Sequence, residues 1–78
     1  MAVGAFILIQ TDLGYVAAVA AEVRRLPGVS SADAIAGPYD VVARAEADTI
    51  DALGHFVVSQ VQAIDGVTRT LSCPIVAL

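Results

Sequence analysis

The chain has 78 residues, enough for one domain with one modest core. Hydrophobic residues make up 58% of it and the mean hydropathy is +0.79, more apolar than a small monomer can cover, so self-association is expected. The formal net charge is -4, there is no lysine, and Arg24, Arg25, Arg44 and Arg69 are the only full cations, which excludes a phosphate-neutralising surface for direct nucleic-acid binding.

Residues 3–11 read as a strand, with Phe6-Ile7-Leu8-Ile9 supplying β-branched and aromatic side chains. Asp12 is placed to cap a helix starting near Leu13 or Gly14, whose Val16, Val19, Ala20 and Val23 share one face. Leu26-Pro27-Gly28 ends it. Arg24 and Arg25 read as solubilising charges at the favourable C-terminal end of that helix. Residues 29–36 form a second strand whose Ser30, Ser31 and Asp33 suit an edge. After Gly37-Pro38, residues 39–47 form a third strand, with Arg44 and Glu46 on one face as a solvated or intersubunit ion pair. A second helix opens at Asp48 with Asp51 in its first turn, and Ile50, Leu53, Val57, Val61 and Ile64 give it an apolar stripe. Gly54 weakens its middle but permits close approach. Asp65-Gly66 ends this helix, and residues 67–72 form the last strand before Pro74.

Leu26-Pro27-Gly28-Val29 and Ile64-Asp65-Gly66-Val67 occupy equivalent places, so the chain is two β-α-β units in tandem. The order β-α-β-β-α-β predicts an α+β, ferredoxin-like fold: a four-stranded antiparallel sheet with two helices on one face. Phe6 and Leu8 make the second face of the first strand apolar too, which predicts dimerisation through the uncovered sheet faces.

No apolar run approaches the roughly 20 residues of a membrane span. Residues 1–6 lack the positive charge of a secretory leader, so a cytoplasmic address and no membrane partner are expected. The single Cys73 excludes an intrachain disulfide and reads as a packing residue beside Pro74. The single His55, pointing away from the helix stripe, has no ligand-spaced neighbours, so neither metal nor cofactor is expected. Asp40 and Glu46 lie roughly 20 Å apart along an extended strand, too far for a carboxylate pair.

The turn Gly37-Pro38-Tyr39-Asp40 admits two readings. Gly37 can take backbone angles closed to other residues, Pro38 fixes φ, and Asp40 can accept backbone N–H groups, so the loop can simply lock a hairpin. Alternatively its N–H groups receive a ligand carboxylate while Asp40 meets an ammonium, the two demands of an amino acid. Arg69, between Thr68 and Thr70, can bridge a subunit boundary or hold a carboxylate.

The apolar first strand, Leu26-Pro27-Gly28-Val29, Gly37-Pro38-Tyr39-Asp40, Val41-Val42-Ala43-Arg44-Ala45 and Ile64-Asp65-Gly66-Val67 with Thr68-Arg69-Thr70 together resemble the Lrp/AsnC effector-binding domain, also called the regulation-of-amino-acid-metabolism domain. The resemblance spans about residues 3–76 and implies a sheet-paired homodimer assembling further, as an octamer or decamer of four or five dimers. It also implies an amino acid or similar small effector bound near the loop between the second and third strands, where dimers meet. Carried onto this chain, Gly37, Tyr39 and Asp40 match that loop. Full-length members add an N-terminal helix-turn-helix domain, whereas here the effector-domain strand starts almost at Met1. The expectation is therefore a single ligand-binding domain over residues 1–78, resembling the stand-alone form and free to co-assemble with a full-length Lrp/AsnC-like regulator.

Two rival functions use the same topology. A small dimeric α+β-barrel enzyme needs a nucleophile, base and orienting group, for which the sequence offers one histidine and no set, so no catalytic residue is assigned. A structural adaptor without a ligand needs only a sealed Gly37–Asp40 loop.

Overall fold

The computed structural model describes residues 2–78. Four strands and two helices alternate as β1 (Val3–Thr11), α1 (Val16–Arg24), β2 (Val29–Ala34), β3 (Val41–Ala47), α2 (Ile50–Phe56, continued by a π-helical turn, Val57–Val61) and β4 (Val67–Pro74). The strands form one antiparallel sheet in the order β2-β3-β1-β4, the topology expected from the tandem β-α-β pattern.

Alternation along the strands decides which face the helices cover. In β1, Ala5, Ile7 and Ile9 are buried, and they join Val41, Ala43, Ala45 and Ala32 on the sheet with Val19, Ala20, Val23, Val57 and Val61 from the helical layer. Many of these sheet positions are alanine, which lets the helices sit close to the strands. The shortest dimension of the molecule is 18 Å, one sheet and one helical layer.

The two halves repeat in detail. Gly28 and Gly66 both have positive φ, +87° and +94°, a region open to glycine. Each carbonyl accepts an N–H from elsewhere in the sheet or its connections: Glu46 to Gly28 at 2.9 Å and Asp12 to Gly66 at 2.7 Å. Beyond each glycine the edge strand shifts register, and a hydroxyl serves a central-strand carbonyl there, Ser30 to Arg44 at 3.2 Å and Thr68 to Gln10 at 3.1 Å.

Several local expectations need correction. Asp12 does not cap α1: Asp12-Leu13-Gly14 is a turn in which the Asp12 carbonyl accepts from Tyr15 N–H, Gly14 has φ +86°, and the helix starts at Val16. Thr49, not Asp48, caps α2, its hydroxyl accepting from Ala52 N–H at 3.0 Å. Ile50 falls outside the buried stripe, at 55% exposure. Strands β2 and β3 are shorter than predicted at the loop between them, and β4 is longer, ending at Pro74. Arg24 is more than a solubilising charge: its Nε donates to Ala32 O at 2.8 Å, tying α1 to the free edge of β2. Cys73 is exposed rather than packed. No helix among the described residues is long and apolar enough to cross a membrane.

Candidate functional site

Register brings the singled-out residues to one end of the sheet. Val41 pairs with Ile9, so the loop before β3 lies beside the last residues of β1. There the Asp40 carboxylate accepts from Thr11 N–H at 2.8 Å and from the Thr11 hydroxyl at 3.3 Å, both through Oδ2. The Asp40 backbone closes the same junction, its N–H donating to Ile9 O and its carbonyl accepting from Ile35 N–H, each at 2.9 Å. Gln10 adds a third tie, its amide donating to Pro38 O at 3.1 Å.

Gln10 also connects this loop to Arg69. The two are register partners in the β1–β4 pair, so they share a sheet face, and Arg69 lines a polar cleft with Gln62, Val67, Thr68 and Thr70. Among the described residues the one salt bridge is Arg25 to Glu22 at 3.4 Å, so Arg69 forms none within the protomer. The neighbouring polar groups are engaged within the protomer, Thr68 Oγ1 donating to Gln10 O at 3.1 Å and Gln62 Nε2 donating to Thr70 Oγ1 at 2.9 Å, which leaves the Arg69 guanidinium as the group there suited to a carboxylate or another small anion.

Gly37 is exposed and Tyr39 half-buried. Gly37 does not use a left-handed conformation; the positive-φ residues are Gly14, Gly28 and Gly66. A Cβ at Gly37 would meet nothing within 4 Å, so neither packing within the protomer nor a special backbone angle calls for glycine there. The expected nest is also smaller than the sequence suggested, because Asp40 N–H is already used by Ile9. Among the described residues, the N–H groups of Gly37 and Tyr39 have no backbone acceptor.

Thr11 and Gln10 are the neighbours of this candidate site that the sequence did not reveal. Neither carries a motif, and both become visible only when β1 is paired with β3. Larger clefts lie elsewhere: a groove of about 670 Å³ between the helices includes Tyr15, Glu22, Gln60 and Asp65, and is lined by none of Gly37, Tyr39, Asp40 or Arg69.

The open sheet face carries the second feature of the site. Phe6, Leu71 and Ile75 are 42%, 45% and 42% exposed, and Leu8 and Val42 are half-buried beside them. Arg44 pairs with no carboxylate among the described residues; its guanidinium lies 5.5 Å from the centre of the Phe6 ring, a cation–π contact.

This sheet, its loop and its uncovered face match a known architecture. The family model of the Lrp/AsnC ligand binding domain matches residues 4–77. The chain belongs to that family. Lrp/AsnC ligand-binding domains are regulatory rather than catalytic, and no group of His, Cys, Asp and Glu among the described residues is placed to hold a metal. Among solved structures, TTHA0845 of Thermus thermophilus is 28% identical with a TM-score of 0.90, over 97% of this chain and 95% of that one. AsnC of Escherichia coli is 26% identical with a TM-score of 0.89, over 97% of this chain and 52% of AsnC. The transcriptional regulator NMB0573 of Neisseria meningitidis, solved as a complex with L-Met, is 27% identical with a TM-score of 0.85, over 96% of this chain and 50% of the regulator. This Lrp/AsnC domain thus spans about half the length of those two regulators. A search of curated proteins finds no match.

Proposed function

We propose that this Lrp/AsnC domain binds a free amino acid or a similar zwitterion at the sheet end formed by Gly37, Tyr39, Asp40 and Arg69, and couples that binding to self-association. The observation that carries the reading is the single-sided use of Asp40. Its Oδ2 is committed to Thr11, which fixes the loop, while Oδ1 has no protein partner among the described residues and is available to an ammonium group. The N–H groups of Gly37 and Tyr39 and the guanidinium of Arg69 supply the complementary donors for a carboxylate. L-Met in the Neisseria regulator supports an amino acid as the class to test.

The protomer pairs with a second copy through the open sheet face, burying Phe6, Leu8, Leu71 and Ile75, and the loop lies at the rim where such dimers meet others in an octamer or decamer. On this reading the domain acts on regulators through protein contacts, including co-assembly with a longer Lrp/AsnC protein, and not by touching DNA itself. Isothermal calorimetry of the wild-type protein against a panel of free amino acids tests it. Saturable heat with at least one member is expected; flat titrations across the panel reject the amino-acid class and leave the adaptor reading.

A further inference from the structure

We propose that the outer face of α2 is a second self-association surface, seating the same helix of another copy in an antiparallel crossing about Gly54. Ile50, Gly54 and Val58 follow one another at four-residue spacing along the helix, and Ile50 and Val58 are 55% and 64% exposed. With Asp51 and His55 they line one shallow, apolar cleft. The buried residue of this helix segment, Leu53, is at 3% exposure in the core, so the cleft lies away from the protomer's own packing.

Gly54 is the telling position. Its φ is not positive, and a Cβ there would meet nothing within 4 Å. Neither backbone conformation nor packing within the protomer calls for glycine, which is unfavourable in a helix interior relative to alanine. A missing side chain at the centre of an exposed apolar row lets a second helix approach closely.

The row is also complementary to itself. In an antiparallel crossing centred on Gly54, Ile50 faces Val58 of the second copy and Val58 faces its Ile50, so apolar side chains meet at both ends. On the flank, the Asp51 carboxylate comes opposite the imidazole of the other copy's His55, an acceptor against a donor, and the pair is repeated by symmetry. This surface belongs to the helical layer, on the side of an 18 Å thick protomer away from the open sheet face. Two self-complementary contacts on opposite layers join pairs of chains into larger assemblies, and the helical contact requires no effector.

Mass measurement by light scattering on the wild type, Gly54→Leu, Val58→Asp and the sheet-face variant Leu8→Glu tests the proposal. Both helix substitutions point into open space, so circular dichroism should be unchanged. The expected result is a wild type larger than two chains that falls to a two-chain mass in Gly54→Leu and in Val58→Asp. A wild-type dimer split by Gly54→Leu but not by Leu8→Glu keeps the helical contact and rejects sheet pairing. A mass that neither helix variant lowers, or a monomeric wild type, overturns the proposal, and a loss with Val58→Asp alone rejects a crossing at Gly54.

Discussion

At the level of single residues, the Asp40 carboxylate ties down its loop through Oδ2 and leaves Oδ1 without a protein partner among the described residues. Its hydrogen bonds to Thr11 join the β2–β3 loop to the end of β1, and charged, half-buried bonds of this kind are worth about 1–3 kcal/mol together. Asp40→Ala should lower stability by about that amount in urea unfolding. Asp40→Asn can keep an oxygen on Thr11 N–H, so it should retain most of the stability while losing the charge that meets an ammonium. Equal stability losses in the two variants would show that the charge itself, not the acceptor, holds the loop. Gly28 and Gly66 make a different prediction. A Cβ at Gly28 would lie 2.9 Å from the Glu46 carbonyl oxygen, a backbone atom that cannot step aside, and φ +87° adds roughly 1–2 kcal/mol for any L side chain. Gly28→Ala should therefore cost more than about 2 kcal/mol by thermal or urea unfolding. At Gly66 the obstacle is the Tyr15 ring, so the cost of Gly66→Ala should shrink when Tyr15→Ala is added, as a double-mutant cycle would show. The equivalence of these glycines was legible in the repeated Leu-Pro-Gly-Val and Ile-Asp-Gly-Val junctions. The partners of Asp40 were not, because a carboxylate's hydrogen bonds depend on strand register rather than on its neighbours in sequence.

At the scale of elements, hydrophobic periodicity carried the reading and capping detail limited it. Val19, Ala20 and Val23 are buried as the helical spacing implies, and β1 alternates Ala5, Ile7 and Ile9 inward with Phe6 outward. The helix starts were misplaced because Asp12, Asp48 and Thr49 all have side chains able to cap, and only the geometry of the preceding turn selects among them. Thr49→Ala should destabilise by about 1 kcal/mol while Asp48→Ala is near neutral, the reverse of what an Asp48 cap would give, measurable by chemical denaturation. The π-helical turn after Phe56 had no sequence signature; it is marked by Gln62 N–H donating to Val57 O at 2.9 Å, with Val57 and Val61 both kept buried. The alanines of the sheet face set how near the helices sit. Ala43 is fully buried on β3 in the core under the helices, and Ala43→Leu should cost about 1–3 kcal/mol through overpacking.

At the scale of the whole molecule, a two-layer domain with one apolar sheet face uncovered is an incomplete structure, and both its composition and its exposed Phe6, Leu71 and Ile75 point to a second copy. The topology and family were legible in the sequence because two similar halves repeat the same punctuation. Of the proposed assembly, only the demand for cover was legible. Leu8→Glu, which places a charge in the middle of that face without touching the core behind it, should reduce the native mass while circular dichroism stays unchanged. Whether the Gly37–Asp40 end of the sheet receives an amino acid is read out by hydrogen–deuterium exchange with and without the tightest-binding member of the amino-acid panel. Binding there should slow exchange at Gly37 and Tyr39, whose N–H groups have no backbone acceptor among the described residues. Saturating ligand that leaves exchange in this loop unchanged would contradict it.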